Sequence, residues 1–365
     1  MTYDRPLSQI LSLGRAHWDR DSCRPAARAA FRKALQCRTP ALGAEVYASE
    51  TEEKVVHHTC KSRACPSCGY RATVQWQRER WAALPDVAYK GITFTMPDVL
   101  WPLFRDNRSL AKALPVLAAN ILQAWASGRH GLRVSVIAIL HTFNGRLEFN
   151  SHVHTMVTAG GLQSSGTWAS SVYYDQDWLT EYWRKSVIKL LRAALQARLL
   201  RTEMATDQVE AILAQQENRW WSVKVQSLGS KERFLRYAGR YARRPPIARR
   251  RITHIGDQNV TFWYKDKRLS RRVEAQCSPE AFIDAWAQHI PERYQHAVRC
   301  FGLLAPRALR QTSAAIFAIL RQEQRPHPRP LRWAYSIKRD FGIDLLLDHT
   351  GKKMKWVRRL APASS

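Results

Sequence analysis

Val134-Ser135-Val136-Ile137-Ala138-Ile139-Leu140-His141-Thr142-Phe143-Asn144-Gly145-Arg146-Leu147-Glu148-Phe149-Asn150-Ser151-His152-Val153-His154-Thr155-Met156-Val157 is the stretch whose reading decides the fold. Residues 134–143 and 147–159 are strand-like, and Asn144-Gly145 between them is a strong hairpin signal. The best apolar run, residues 134–140, is far short of the ~18 residues that span a bilayer, so it reads as one buried strand. Working outward, residues 90–96 read as a strand ended by Pro97, and residues 221–226 as another. Residues 252–264 hold a second hairpin around Gly256-Asp257. Helical spacing marks residues 7–36 (broken at Pro25), 71–84, 98–127 and 230–244, the last stopped by Pro245-Pro246. Residues 178–217 are one long helix or a pair, with Val187, Leu190, Leu191, Ala194, Leu195 and Leu199 on one stripe. Strands interrupted by helices and joined by hairpins predict an α+β fold with a mostly antiparallel sheet.

His152 and His154, two apart on a strand, share a face about 6.6 Å apart and can converge on one cation. A His-x-His arises by chance about 0.4 times in a chain with twelve histidines, so the pattern alone is weak. Its place beside a second histidine-bearing strand strengthens it. The third ligand is His141 or Glu148. A tight turn at Asn144-Gly145 pairs His141 with Glu148 and leaves it about 13 Å along the strand from His152. A long loop over residues 142–151 pairs His141 with His152, and both registers fit the sequence. A mixed histidine and oxygen site suits Mg2+ or Mn2+ acting on phosphate.

Five of the seven cysteines lie in the first 68 residues. Clustered cysteines in a reducing compartment point to a metal site rather than disulfides. Cys65-Pro66-Ser67-Cys68-Gly69 has the shape of a zinc knuckle, with Gly69 permitting a tight turn. Cys60 and His58 complete four structural zinc ligands, and Cys37 or His57 could replace His58.

Tyr237-Ala238-Gly239-Arg240-Tyr241 places two phenols at i and i+4, on one face of a helix. Alone this is an ordinary aromatic stripe. However, the 42 residues from Lys231 to Arg272 carry fourteen Lys/Arg against three Asp/Glu. Lys231, Arg236, Arg240, Arg243, Arg244, Arg249, Arg250 and Arg251 are therefore candidates for gripping a phosphate backbone. A phenol with a pKa near 10 is a weak nucleophile, which a divalent ion on the scissile phosphate would offset.

The whole chain has 365 residues, 58 Lys/Arg and 30 Asp/Glu, for a net charge of +28. With 45% hydrophobic and 10% aromatic residues it can bury a large core, which excludes a disordered basic arm. Its charge points to nucleic acid rather than a membrane surface. The first residues lack the apolar core of a secretion signal, so a cytoplasmic, nucleoid-associated protein is expected. No Gly-x-x-x-x-Gly-Lys-Ser/Thr phosphate loop occurs, so strand unwinding would come from a host helicase or replication machinery.

Taken together, these motifs resemble a known family. Cys60-Lys61-Ser62-Arg63-Ala64-Cys65-Pro66-Ser67-Cys68-Gly69 resembles the N-terminal zinc region of the insertion-sequence-91 transposases. Leu140-His141-Thr142-Phe143, His152-Val153-His154 and Gly160-Gly161 resemble their HUH (His-hydrophobic-His) endonuclease core. Tyr237-Ala238-Gly239-Arg240-Tyr241-Ala242 resembles their paired-tyrosine motif. His289-Ile290-Pro291 and Val298-Arg299-Cys300-Phe301-Gly302-Leu303-Leu304 resemble their C-terminal segment. The likeness covers residues 35–306 in the family's order. It implies rolling-circle transposition through single-stranded DNA at element ends and target. His152 and His154 would hold the catalytic ion, and Tyr237 and Tyr241 would be the nucleophiles. One departure is that residues 47–53 lack the further Cys-x-x-Cys usual in the family, which leaves Cys37 without its counterpart. The expected organisation is an N-terminal helical segment (1–36), a zinc-binding module (37–80), an endonuclease domain (81–305) and a basic C-terminal extension (306–365) that adds DNA affinity.

Overall fold

The computed structural model describes residues 5–242, 245–266, 269–303 and 305–363. Arg243 and Arg244 lie outside the described residues. The expected sheet is central. Its five strands run in the order Val298–Gly302, Ser135–Phe143, Phe149–Thr158, Tyr89–Phe94 and Val223–Ser227, and every neighbouring pair is antiparallel.

Strand alternation gives this sheet two different faces. On one, Phe94, Val136, Ala138, Leu140, Val153 and Val157 meet helices Leu114–His130 and Gln176–Gln196 through Ala118, Leu122, Trp183, Val187 and Leu191. On the other, Ile137, Ile139 and Met156 meet Trp76 of helix Pro66–Ala83 and Phe234, Leu235 and Ala238 of helix Lys231–Ala238. Each fully buried side chain of this size contributes roughly 1.5–3 kcal/mol. His141, His152 and His154 sit at the end of this second face: His141 lies two residues after Ile139, and His154 and His152 lie two and four residues before Met156.

The long helical stretch resolves into two helices, Gln176–Gln196 and Thr206–Glu217. Asp175 caps the first, its carboxylate accepting the Trp178 N–H at 2.9 Å. Residues 98–113 form short helical pieces before Leu114–His130, which stops at Gly131 with φ +63°.

The hairpin pairs His141 with His152, as the long-loop alternative expected, but its loop is residues 144–148 rather than 142–151. Phe143 pairs with Phe149 and His141 with His152, with an irregularity between. Asn144 does organise the turn, but through its side chain: Oδ1 accepts the N–H groups of Arg146 (2.8 Å) and Glu148 (3.1 Å). A two-residue turn is overridden because Leu147, at φ +66°, turns inward and is buried among Ile247, Val260, Phe262 and Trp286. That second core joins helices Pro6–Leu13 and Pro25–Leu35 to helix Pro279–Ala287 and the sheet Ile252–Ile255, Val260–Lys265, Arg272–Cys277.

The C-terminal stretch folds back onto the cysteine-rich region. Strand Lys355–Leu360 pairs with Ala44–Ala48, which pairs in turn with Glu53–His57. Arg359 meets Glu45 at 2.8 Å, and Arg358 meets Glu53 and Lys352 meets Glu50, each at 3.1 Å. Three cations of this stretch therefore face acids of the same chain. Among the described residues no helix is long and apolar enough to cross a membrane.

Candidate active site and metal centre

Because His141 lies opposite His152, the structure brings the three strand histidines together. His141 Nδ1 and His152 Nε2 are 3.1 Å apart, as are His152 Nε2 and His154 Nε2. The irregularity before His152 sits beside this site, as such strand bulges commonly do. There the Asn150 main-chain oxygen lies 2.7 Å from His152 Nδ1, which places the proton on Nδ1 and the lone pair on Nε2. Burial, then the neighbouring His152 and His154, hold the His141 imidazole well below its usual pKa, so it stays neutral. Glu148 is on the exposed loop, bonded to Asn144, and does not join the cluster.

Three imidazole nitrogens facing one point fit a divalent cation. Two nitrogens about 2.1 Å from one ion and at right angles to each other are roughly 3.0 Å apart, close to the observed spacing. His141, His152 and His154 each offer an atom within 4.8 Å of the others.

Both tyrosines reach these histidines, but not from one helix. The helix ends at Ala238, so Tyr237 is in its last turn and Tyr241 is in the turn that follows. The two rings are 5.1 Å apart. Tyr237 Oη lies 3.1 Å from His154 Nδ1 and 3.2 Å from Thr93 Oγ1, and Thr93 Oγ1 is 3.1 Å from His154 Nδ1. Thr93 faces the site because it pairs with His154 across the sheet. The Tyr241 ring stacks on His154 with centroids 3.6 Å apart. Burial pushes the Tyr237 phenol up to about 12, against the opposing hydrogen bond from Thr93.

A small cavity of about 50 Å3 opens beside His141 and Tyr241, and Arg63, Arg108, Thr142, Phe143 and His289 also line it. His289 is buried, with Nε2 donating to the Leu147 carbonyl at 2.8 Å, and it props the hairpin loop against this cavity. Sequence reasoning missed the parts played by Thr93, Arg108 and His289. Thr93 had only its place on an expected strand to mark it.

The candidate DNA-contacting cations divide. Arg240, Arg249 and Arg250 are exposed, and Arg236 is exposed beside Glu232 at 2.7 Å. Lys231 is a correction, because it is only 3% exposed. Its Nζ donates to the carbonyls of Trp81 (3.1 Å) and Leu84 (2.9 Å) and meets Asp86 at 2.7 Å. It ties the tyrosine helix to helix Pro66–Ala83 and cannot reach DNA. Arg251 is also turned inward, its Nε donating to the Trp263 carbonyl at 2.8 Å and its guanidinium to that of Gly145.

The cysteine cluster is Cys37, Cys60, Cys65 and Cys68. Its Sγ atoms are 3.8 Å (Cys37–Cys68), 3.7 Å (Cys60–Cys68) and 3.9 Å (Cys65–Cys37) apart. Four thiolates about 2.3 Å from a tetrahedral zinc lie roughly 3.8 Å from each other, so the four fit that ion. His58 is a correction, because it stands outside the cluster. Its Nδ1 faces the Leu42 carbonyl at 2.9 Å and its Nε2 faces Glu45 at 3.1 Å. Cys37 takes its place. The tight turns also differ from expectation. Gly69 lies within a helix, while Arg38 (φ +60°) and Lys61 (φ +53°), each directly after a cluster cysteine, turn the chain.

Two family models match the chain. One described as "Putative transposase" covers residues 135–312, and one described as "Transposase zinc-binding domain" covers residues 10–96. The chain is 34% identical over 324 residues to "Transposase for insertion sequence element IS801" of Pseudomonas savastanoi pv. phaseolicola, covering 86% of this chain and 78% of that protein. It is 28% identical over 297 residues to "Putative transposase y4qJ" of Sinorhizobium fredii (strain NBRC 101917 / NGR234), covering 76% and 74% of the two chains. No solved structure matches.

Proposed function

This chain belongs to the insertion-sequence-91 family of transposases, and from that premise we propose that it cuts and rejoins single-stranded DNA by rolling-circle chemistry, with Tyr237 and Tyr241 as nucleophiles. The observation that carries this reading is the convergence of both phenols on three clustered histidines. A core aromatic stripe has no need of that arrangement. The Cys37, Cys60, Cys65, Cys68 site belongs to a zinc-binding domain, and its zinc is structural because four protein thiolates leave no open position.

His141, His152 and His154 would hold the catalytic ion. Three imidazoles and no carboxylate suit Mn2+ better than Mg2+. When bound, a divalent ion polarises the scissile phosphate and offsets charge developing on its oxygens. With the lone pair of His154 Nε2 directed to the ion, its Nδ1 carries the proton and donates to the Tyr237 oxygen. That bond favours the phenolate and opposes the burial that raises the phenol pKa. Tyr237 or Tyr241 attacks the phosphorus. A tyrosine–phosphate bond forms, the bond to the 3′ oxygen breaks, the phenol loses its proton and the departing oxygen gains one. The product is a 5′-phosphotyrosine and a free 3′-hydroxyl. A 3′-hydroxyl reverses the step at a new place, with no need for ATP. Arg236, Arg240, Arg249 and Arg250 would grip the backbone, as would Arg243 and Arg244. A host helicase or the replication machinery would supply the single strand in the cytoplasm, at the nucleoid.

The test uses labelled single-stranded DNA bearing the element's end. A denaturation-resistant protein–DNA complex should form with Mn2+, more slowly with Mg2+ and not with EDTA, and should vanish in the Tyr237→Phe, Tyr241→Phe double variant. Tight binding without any complex, whatever the end sequence, would favour a zinc-dependent DNA-binding regulator.

A further inference from the structure

Arg108 stands between two cavities. It lines the one beside His141 and Tyr241, and it also lines a wider cleft of about 1320 Å3 with Arg24, Arg105, Arg198 and Arg201. Two of the cleft's cations are neutralised locally, Arg105 by Asp106 at 2.8 Å and Arg24 by Glu292. Among the described residues, Arg108, Arg198 and Arg201 have no acidic side chain paired to their guanidinium groups. Arg198 and Arg201 are exposed, whereas Arg108 is half-buried with its guanidinium 5.8 Å from the centre of the Phe149 ring. The neighbouring Asn107 donates from Nδ2 to the carbonyls of Leu103 (2.9 Å) and Arg201 (2.7 Å), and its Oδ1 accepts the Arg201 N–H at 2.7 Å. A partly desolvated cation with no anion of its own is costly, and burial pulls Arg108 down to about 10.

We infer that Arg108 is a phosphate-binding residue that holds the DNA strand away from the scissile bond and leads it out of the active-site cavity into the arginine-lined cleft beyond. The inference rests on the reading of the site as a single-strand DNA nuclease. The missing anion is then the backbone of the substrate, and a planar guanidinium on an aromatic wall presents a fork that matches phosphate oxygens. The unpaired Arg198 and Arg201 continue the track, so the strand has a defined direction of exit. The two phenols and Arg108 therefore contact different nucleotides of one strand.

The test reads binding separately from cleavage. Affinity for fluorescent single-stranded oligonucleotides is measured by anisotropy in EDTA, with flanks trimmed from one side at a time. Arg108→Gln should weaken binding to a long oligonucleotide by about tenfold and reduce the slope of log affinity against log salt by roughly 0.7, the value for one phosphate on a single strand. Arg108→Lys, which keeps the charge but loses the fork, should recover only part of the affinity, and the exposed Arg198→Ala, Arg201→Ala pair should shift it in the same direction as Arg108→Gln without lowering the melting temperature. Trimming one flank should abolish the difference between wild type and Arg108→Gln, while trimming the other should leave it. Equal loss at every length, or no loss at all, would overturn the inference. A length-dependent Arg108 effect with no covalent complex from the wild type would reject the nuclease reading and leave the phosphate track standing.

Discussion

Thr93 carries more of the site than its residue type announces. Its hydroxyl is within hydrogen-bonding distance of both His154 Nδ1 and Tyr237 Oη, so it fixes an imidazole and a nucleophile together. Thr93→Val keeps the shape and removes that link. The rate of covalent complex formation should fall about 10–100-fold, in line with the loss of outer-sphere partners at metal sites. Single-stranded DNA affinity should hold, and Thr93→Ser should restore most of the rate. The cysteines give a second test at this scale. Cys37→Ser should reduce bound zinc and destabilise the module, whereas His58→Ala should leave metal content near one zinc per chain by elemental analysis. Cys37 was hard to assign from sequence because it lies 23 residues before Cys60, and only folding brings its sulfur to the cluster. The shared face of His152 and His154 was legible because strand periodicity acts locally, whereas the single helix expected for both tyrosines ends at Ala238, before Tyr241. The contact between His154 and Tyr237 was not legible, since it joins residues 83 apart.

At the level of elements, the register of one hairpin decides whether three histidines meet. Asn144-Gly145 marked the turn, but local turn chemistry could not choose between the registers. The choice comes from Leu147 settling into the second core. Leu147→Ala should cost about 2–5 kcal/mol in a denaturant titration and also lower the rate of DNA cleavage, because the loop that sets His141 against His152 loses its anchor. Strand Lys355–Leu360 escaped sequence reading for another reason. Five of its six residues are exposed, so no apolar alternation betrays it. It is fastened through Glu45, which the Trp356 indole N–H and the Arg359 guanidinium, against opposing burial and with help from His58, hold down to about 2 from 4.5. The folded pKa is the lower one. The stabilisation is therefore fully present above pH 4.5 and fades as the pH falls towards 2. Amide exchange in Ala44–Ala48, corrected for intrinsic rates, should quicken across that window. In Glu45→Gln it should already be fast at neutral pH, with no acid step.

At the scale of the whole molecule, the +28 charge is distributed unevenly in what it does. Lys231 and Arg251 hold elements together, and Arg358, Arg359 and Lys352 fasten the C-terminal stretch to acids of the zinc-binding region. Arg240, Arg249 and Arg250 are exposed. Charge counts along the sequence could not separate structural cations from exposed ones, because burial is a tertiary property. The α+β class was readable because the central strands and the longer helices carry their own periodicity, whereas short or exposed elements such as Ala44–Ala48 and Lys355–Leu360 do not. The measurement that tests the central claim most directly is intact-mass and peptide-mapping mass spectrometry after incubation with a single-stranded oligonucleotide and Mn2+. The expected result is the protein mass increased by that of a 5′-phosphorylated DNA fragment, with the modification on the peptide carrying Tyr237 and Tyr241. A cleaved oligonucleotide with no modified protein, or an adduct that persists in the Tyr237→Phe, Tyr241→Phe variant, would contradict it.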